Sequence, residues 1–191
     1  VAPDRPHVHA VTAKSFTNSV GMRMVYLSVG YYVAECETSQ SQYERIMGHN
    51  PSAIQAPNHP VENVTHAEAV AFCEKLTAHE RKRGSLPQGH VYTLPSHDQW
   101  MDYIAGAAVA GSFTPYGGNP AWSEQKHVPV CTGAANRLGL HNLWGNVEEW
   151  ASDPQPNSAG YPRRGHAVLG GSIARWRTDG YLYPHVVNYV R

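Results

Sequence analysis

The residues best suited to chemistry lie in a glycine-containing segment, residues 139–150, that is rich in side-chain oxygen. It contains Asn142, Asn146, Glu148 and Glu149. Hard cations such as Ca²⁺ prefer amide, carboxylate and backbone carbonyl oxygens, and irregular backbone exposes its carbonyls to them. Alternatively, the asparagine side chains bond the backbone of an ordinary turn whose two tryptophans belong to the core. Spacing alone favours the ordinary turn and leaves the cation site as the second interpretation.

The C-terminal segment offers a different chemistry, because it combines aromatic and charged side chains over a short stretch. Its residues of this kind are Arg175, Trp176, Arg177, Asp179, Tyr181, Tyr183, His185 and Tyr189. Tyr, Trp and Arg are enriched at binding hot spots and in paratopes. If residues 181–183 form a strand, Tyr181 and Tyr183 share one face. An ordinary terminal strand with a half-exposed aromatic face explains the same residues equally well.

Catalytic and metal-binding pairs elsewhere in the sequence are weak. Cys131 follows His127 by four residues, but no signal for an oxyanion site accompanies them, which disfavours a nucleophile and its base. Ser172 does not stand in the Gly-x-Ser-x-Gly pattern of a hydrolase elbow. His7 and His9 would share one side of a strand, yet no third metal ligand lies close in sequence. None of these residues is a preferred catalytic or metal-binding site.

Composition excludes several classes of protein. A length of 191 residues predicts one domain, and 15 basic residues balance 15 acidic ones, which disfavours nucleic acid or an anionic membrane as a partner. The longest nearly apolar run, around residues 104–109, is about half the length that spans a bilayer. Cys36, Cys73 and Cys131 fit neither a disulfide framework nor a zinc site. The odd number of cysteines leaves at least one free thiol or an intermolecular bridge, and we expect reduced thiols.

Three helices are predicted by capping boxes, in which a Ser or Thr stands three residues before a Glu or Gln. The boxes are Ser39 with Gln42, Thr65 with Glu68, and Ser96 with Gln99. An apolar stripe at helical spacing follows each box, and Gly48 is placed to end the first helix.

The remaining pattern predicts short strands. Alternating residues indicate strands at 22–27 and 31–33, and short apolar pieces at 128–130, 138–140, 168–169 and 186–190 indicate further strands between long loops. Helices followed by an irregular β-rich half predict an α+β fold. We assign residues 1–15 to an N-terminal arm or linker and residues 16–191 to a single domain.

Six stretches, in order, resemble motifs of the formylglycine-generating enzyme (sulfatase-modifying factor) family. They are residues 16–22, 37–52, 60–73, 94–100, 139–153 and 169–172. The resemblance implies a C-type-lectin-like fold with two to three short helices, short mixed strands and many loops. It also implies a calcium site formed by the side chains of Asn142 and Glu149 and the carbonyls of Gly145 and Val147. With the resemblance, the cation interpretation becomes the favoured one.

The departures from the family bear on function. Its oxidases carry two cysteines, five residues apart, soon after Gly-Gly-Ser, and these bind copper. Arg175 and Gly180 occupy the matching positions, and no cysteine follows Cys131. Because Cu(I) is selected by soft thiolate ligands, we expect no copper and no formylglycine synthesis.

The family includes a non-catalytic branch, the prokaryotic or viral variable proteins of diversity-generating retroelements, which display a hypervariable C-terminal surface on this scaffold. Our leading hypothesis is a non-catalytic ligand-binding display protein of this kind. The predicted ligand-binding residues are Ile173, Arg175, Trp176, Arg177, Asp179, Tyr181, Tyr183 and His185. The alternatives are an enzyme of the same superfamily with altered chemistry, and a regulatory module of a larger kinase or lipoprotein.

The partner expected from this hypothesis is a protein or another surface ligand. The N-terminal residues show no signal-peptide pattern. A surface-displayed, virion-associated or secreted location is compatible with a display protein.

Overall fold

A computed structural model describes residues 15–105, 127–132, 134–143 and 146–154, together with three short strands that follow them. The helices are α1 (Gln40–Met47), α2 (His66–Lys82) and α3 (His97–Ala105). The strands are β1 (Phe16–Thr17), β2 (Arg23–Leu27), β3 (Tyr31–Ala34), β4 (Tyr92–Thr93), β5 (Glu148–Pro154), β6 (His166–Leu169), β7 (Pro184–His185) and β8 (Tyr189–Val190). This α+β content confirms the predicted fold class.

All three helices begin at the predicted capping boxes. In α1, Ser39 and Gln42 each accept a hydrogen bond from the other's backbone N–H. The boxes of α2 and α3 show the same reciprocal bonds. Gly48 ends α1 in the left-handed conformation, with φ 82°, as predicted. Each box satisfies backbone donors that a helix start leaves without intrahelical partners, which explains why local sequence was sufficient here.

The larger sheet has the strand order β1-β2-β3-β8-β4, and its strands β2 and β3 are largely buried on both faces. Alternate residues of β2 and β3 point to opposite sides, as the pleat requires. Met24 and Tyr32 contribute to a core cluster with residues of α1 and α2. Val25 and Val33 contribute to a second cluster that includes Tyr103, among other residues of α3. The predicted strands at 22–27 and 31–33 are confirmed.

The smaller sheet has the strand order β6-β5-β7, with β6 antiparallel and β7 parallel to β5. Glu149 in β5 is aligned with Leu169 of β6 on one side and with His185 of β7 on the other. Two strand spacings therefore separate Leu169 from His185, about 10 Å. Residues 170–183 connect these two outer strands, which meet the connection at Leu169 beside Glu149 and at Pro184 beside Glu148.

Two predicted strands are wrong, because residues 128–130 and 138–140 lie in loops. Val130 donates its backbone N–H to the carbonyl of Asn58, and the side chain of Asn136 accepts from the N–H groups of Leu138 and Leu140. Loop carbonyls and a side-chain amide thus take the place of a neighbouring strand. The apolar pieces near 168 and 190 are confirmed as parts of β6 and β8.

The expectation of reduced thiols is also wrong. Cys36 and Cys131 form a disulfide across 95 residues, with Cα atoms 5.2 Å apart. Sequence spacing cannot reveal such a bond, because it depends on which loops the fold brings together. Cys73 is buried and lies outside the disulfide, and burial raises the pKa of its thiol, so one cysteine is reduced as expected.

Two further sequence predictions are the absence of a membrane span and the division of the chain into an arm and a domain. None of the helices in the described ranges is long and apolar enough to cross a membrane. Residues 1–14 lie outside the described residues, so the division into an arm at 1–15 and a domain at 16–191 stays a prediction.

Candidate functional site

Three of the four predicted calcium ligands belong to the described chain. Asn142 is hydrogen-bonded to Glu37, which follows β3, and Glu149 is near enough for the charge of Glu37 to raise its pKa. Val147 is buried directly before β5, and Gly145 lies outside the described residues. The fold therefore brings two segments more than 100 residues apart in sequence to one place.

The turn that carries these residues is irregular. Asn142 has φ 51° and Asn146 has φ 57°, both in the left-handed region. Asparagine tolerates this region better than most residues, which explains its use at both positions. Irregular backbone of this kind leaves carbonyl oxygens available to a cation.

Glu37 is the central group of the site, and it is only 3% exposed. The Nδ2 of Asn142 donates to its Oε2 at 3.1 Å, and the Nδ2 of Asn146 donates to its Oε1 at 2.9 Å. The backbone N–H of Cys131 also donates to it. Burial raises the pKa of Glu37 to about 7, although these hydrogen bonds oppose the shift.

Glu149 is buried and has an oxygen that needs a partner. Its Oε2 has no hydrogen-bond partner within the described parts of the chain, and only 4% of the residue is exposed. Burial, and then the nearby Glu37, raise its pKa well above the usual range. Within the same parts of the chain, the hydroxyl of Tyr103 is also buried without a partner, and Glu149 contributes to raising its pKa. Both carboxylates are buried, and the charge of Glu37 disfavours ionisation of Glu149, so a proton or a cation would stabilise the pair, and their oxygens fit a hard cation.

The ordinary-turn interpretation accounts for part of the geometry. Asn146 accepts from the backbone N–H of Val128 at 2.9 Å, and the indole of Trp150 donates to the carbonyl of Val64. However, the amides of Asn142 and Asn146 both face a buried carboxylate, which a simple backbone turn does not explain.

Most of the predicted binding residues lie outside the described residues. These are Ile173, Arg175, Trp176, Arg177, Asp179, Tyr181 and Tyr183. His185 belongs to β7, where it is aligned with Glu149. The predicted calcium turn and the end of the predicted binding segment therefore meet at one residue of β5.

Sequence analysis missed Glu37 as a member of the site. Its contacts with Asn142 and Asn146 span 105 and 109 residues, so no local pattern reveals them. The available signal was an acidic residue three positions after a strand of apolar residues, where a solvated loop would be the usual expectation.

A histidine pair beside the site was also missed. The Nδ1 atoms of His59 and His127 are 2.7 Å apart, and His127 is 7% exposed. The Nε2 of His127 is buried and has no partner among the residues the structure describes. Cys131 is bonded to Cys36, so it does not act with His127 as a nucleophile.

We expect the His59–His127 contact to make stability fall as the pH is lowered. Burial, and then His59, lower the pKa of His127, so below about pH 6.5 the unfolded chain binds the proton more readily than the folded one. His127→Asn keeps a donor near the Nδ1 position. Urea unfolding between pH 8 and 5 should show a steeper loss for the wild type than for this variant.

The comparison of wild type with His127→Asn isolates the histidine pair, because Glu37 and Glu149 change the pH dependence of stability in the opposite direction. Their raised pKa values make the folded state bind protons more readily, in both proteins alike. Parallel stability curves for wild type and His127→Asn would contradict the assigned role of the pair.

Comparisons with known proteins agree with this fold. The chaperone protein LppX of Paenibacillus barcinonensis is 24% identical over an alignment of 200 residues. The alignment covers 78% of this chain and 71% of that protein. Treponema denticola variable protein 1 superposes with a TM-score of 0.62 at 19% identity, covering 93% of this chain and 94% of that one. PvdO from Pseudomonas aeruginosa superposes with a TM-score of 0.56 at 14% identity, covering 84% of this chain and 80% of that one.

A further solved structure, CarF, superposes with a TM-score of 0.55 at 19% identity, covering 83% of this chain and 85% of that one. At such identities, similarity to the solved structures establishes the fold. The sequence matches the family described as "Sulfatase-modifying factor enzyme 1-like domain" over residues 7–186. The chain therefore belongs to the sulfatase-modifying factor enzyme 1-like (FGE-sulfatase) family.

Proposed function

We propose that this chain is a non-catalytic ligand-binding protein whose binding surface is formed by residues 173–185. The observation that carries the proposal is the pairing of the strands that flank this segment: Leu169 of β6 and His185 of β7 lie on either side of Glu149 in β5. Among the residues whose side chains the structure describes, those between Val20 and Ala151 form two buried core clusters. A long connection fixed on a scaffold with its own core is a common arrangement for binding loops.

The cysteines support a non-catalytic role. The sequence has three, of which two form the Cys36–Cys131 disulfide and the third, Cys73, is buried. No pair of thiolates is left to bind Cu(I), and Arg175 and Gly180 stand where the oxidases of the family carry theirs. The fold shared with a protein named as a variable protein supports the same proposal.

We expect no copper-dependent cysteine oxidase activity. The test incubates the oxidised protein with Cu(I), oxygen and a cysteine-containing sulfatase peptide, and looks for the aldehyde by mass spectrometry. An active formylglycine-generating enzyme serves as the positive control. Turnover at the rate of that control would contradict the proposal.

We further propose that Ca²⁺ is held by the side chains of Asn142 and Glu149 and the carbonyls of Gly145 and Val147. When bound, the cation would neutralise the two adjoining buried carboxylates and fix the turn before β5. Two side-chain and two backbone oxygens, completed by water, suit the six to eight ligands that Ca²⁺ prefers. The proposed role is structural, since a fixed turn would hold in place β5, the strand that pairs with both β6 and β7.

Calcium should raise the melting temperature of the wild type by about 5 to 10 °C at a hundredfold excess over its Kd. Glu149→Ala should lose this response, because it removes a proposed ligand whose Oε2 has no partner among the described residues. Calorimetry with Ca²⁺ or with a chelator measures both proteins, and Mg²⁺ serves as the control ion. Equal melting temperatures under all conditions would favour the ordinary turn.

The retroelement origin of the binding surface is tested at the gene. We propose that sequences of this locus from many isolates differ mainly in codons 173–188, near a reverse transcriptase gene. Differences spread evenly over the locus would argue for an ordinary fixed binding site. The disulfide supports a surface-displayed or secreted location, because such bonds persist in oxidising compartments.

The similarity to LppX favours a second candidate function, the binding of a client polypeptide, because that relative is named a chaperone. Suppression of aggregation separates the two candidates. A chaperone delays the aggregation of several unfolded proteins, whereas a display protein recognises one folded ligand.

A further inference from the structure

Glu37 controls which way two asparagine side chains face. An ionised carboxylate only accepts hydrogen bonds, whereas an amide has a donor nitrogen at one end and an acceptor oxygen at the other. Asn142 and Asn146 each direct Nδ2 to one oxygen of Glu37, at 3.1 and 2.9 Å. Both amides therefore turn their oxygen atoms away from Glu37.

The two amide oxygens have different uses. The Oδ1 of Asn146 accepts from the backbone N–H of Val128 at 2.9 Å, so Asn146 is fixed at both ends. Asn142 is a predicted cation ligand through its Oδ1. Without an acceptor behind Nδ2, its amide could rotate and present the nitrogen instead, and nitrogen of an amide is not a ligand for Ca²⁺.

Glu37 is itself held rigidly. Its neighbour Cys36 is bonded to Cys131, and the backbone N–H of Cys131 donates to the Glu37 side chain. The side chain is 3% exposed, so water does not compete strongly for its oxygens. A carboxylate fixed in this way can orient a neighbouring side chain, as the outer partners of metal ligands do.

We propose that Glu37 is the positioning residue of the cation site: it turns the Oδ1 of Asn142 towards the ion and adds a second buried negative charge without itself coordinating. This inference rests on the calcium site proposed above. It assigns a role to a residue outside the predicted ligand set of Asn142, Gly145, Val147 and Glu149.

The test exchanges donor and acceptor across the Glu37–Asn142 contact. In Glu37→Gln, one oxygen of Glu37 is replaced by a nitrogen, so the side chain cannot accept from both asparagines. Isothermal titration with Ca²⁺ should show affinity at least about tenfold weaker, the lower end of the effect for such outer partners. In the double variant Glu37→Gln/Asn142→Asp, the new amide at position 37 accepts from Asn146 and donates to the new carboxylate at position 142. Because the exchange conserves charge and pairing, most of the affinity should return.

Each outcome separates the two proposals. Absence of Ca²⁺ binding by the wild type would overturn the calcium site itself. Binding by the wild type that is lost in Glu149→Ala but unchanged in Glu37→Gln would overturn only the role of Glu37. A double variant that folds but binds no better than Glu37→Gln would also overturn it. If Glu37→Gln does not fold, recovery of folding and Ca²⁺ affinity in the double variant supports the role, and failure to recover contradicts it.

Discussion

Replacing Cys36 and Cys131 by alanine should lower the free energy of unfolding by about 4 kcal/mol, because the bond closes a long loop in the unfolded chain. The two cysteines are 95 residues apart, and a loop of that length gives a stabilisation near the upper end of the range for disulfides. The bond also joins the end of β3 to the segment that carries His127 and Val128. Urea unfolding of the wild type, with and without dithiothreitol, and of the double variant measures the effect.

Two controls isolate the disulfide in this experiment. The reductant should change the wild type but leave Cys36→Ala/Cys131→Ala unaffected. Alkylation of the unfolded, unreduced wild type should label one cysteine, Cys73, and prior reduction should expose all three. Labelling of three thiols without reduction, or equal unfolding energies for wild type and double variant, would contradict the disulfide.

The predicted binding residues should tolerate replacement, whereas a core aromatic residue should not. If Trp176, Tyr181 and Tyr183 form a display surface, each change to alanine should cost no more than about 0.5 kcal/mol. Tyr43 is the matched control, because it is fully buried and stacks on Phe72 with ring centroids 5.3 Å apart. Tyr43→Ala should cost about 3 to 5 kcal/mol, as for other large core side chains.

Urea unfolding of the four variants provides the comparison. Losses above about 2 kcal/mol for two of the three C-terminal variants would remove the display hypothesis, because such sites would behave like core positions. His185 adds a separate test in solution. A ligand that contacts its imidazole should bind differently between pH 5 and 8.

Local sequence patterns were sufficient to predict the three helices and the strands β2 and β3. A capping box such as Thr65 with Glu68 places its interacting groups within three residues, so the pattern contains the whole interaction. The alternation of residues in β2 and β3 also predicted these strands. The pattern is weaker there, because both faces of the strands are buried and the alternate positions need not be polar. Gly48 was identified because the left-handed end of α1 favours glycine.

The long-range contacts could not be predicted from local patterns in the sequence. Glu37 reaches Asn142 and Asn146 across more than 100 residues, and Cys36 reaches Cys131 across 95. The apolar run at 128–130 predicted a strand because its pattern cannot show that Asn58 supplies the acceptor for Val130. The family resemblance supplied part of what spacing could not, namely the ligand set that includes Asn142 and Glu149.

The central claim is that residues 173–185 bind a ligand on a scaffold that does not depend on their side chains. The most direct test randomises the eight predicted binding positions together and displays the library on cells. Most variants should resist protease as the parent does, and selection on an immobilised folded protein such as lysozyme should yield binders. Binding should disappear when the selected residues are returned to the parental ones. A library in which most variants become protease-sensitive and no binder is recovered would contradict the account.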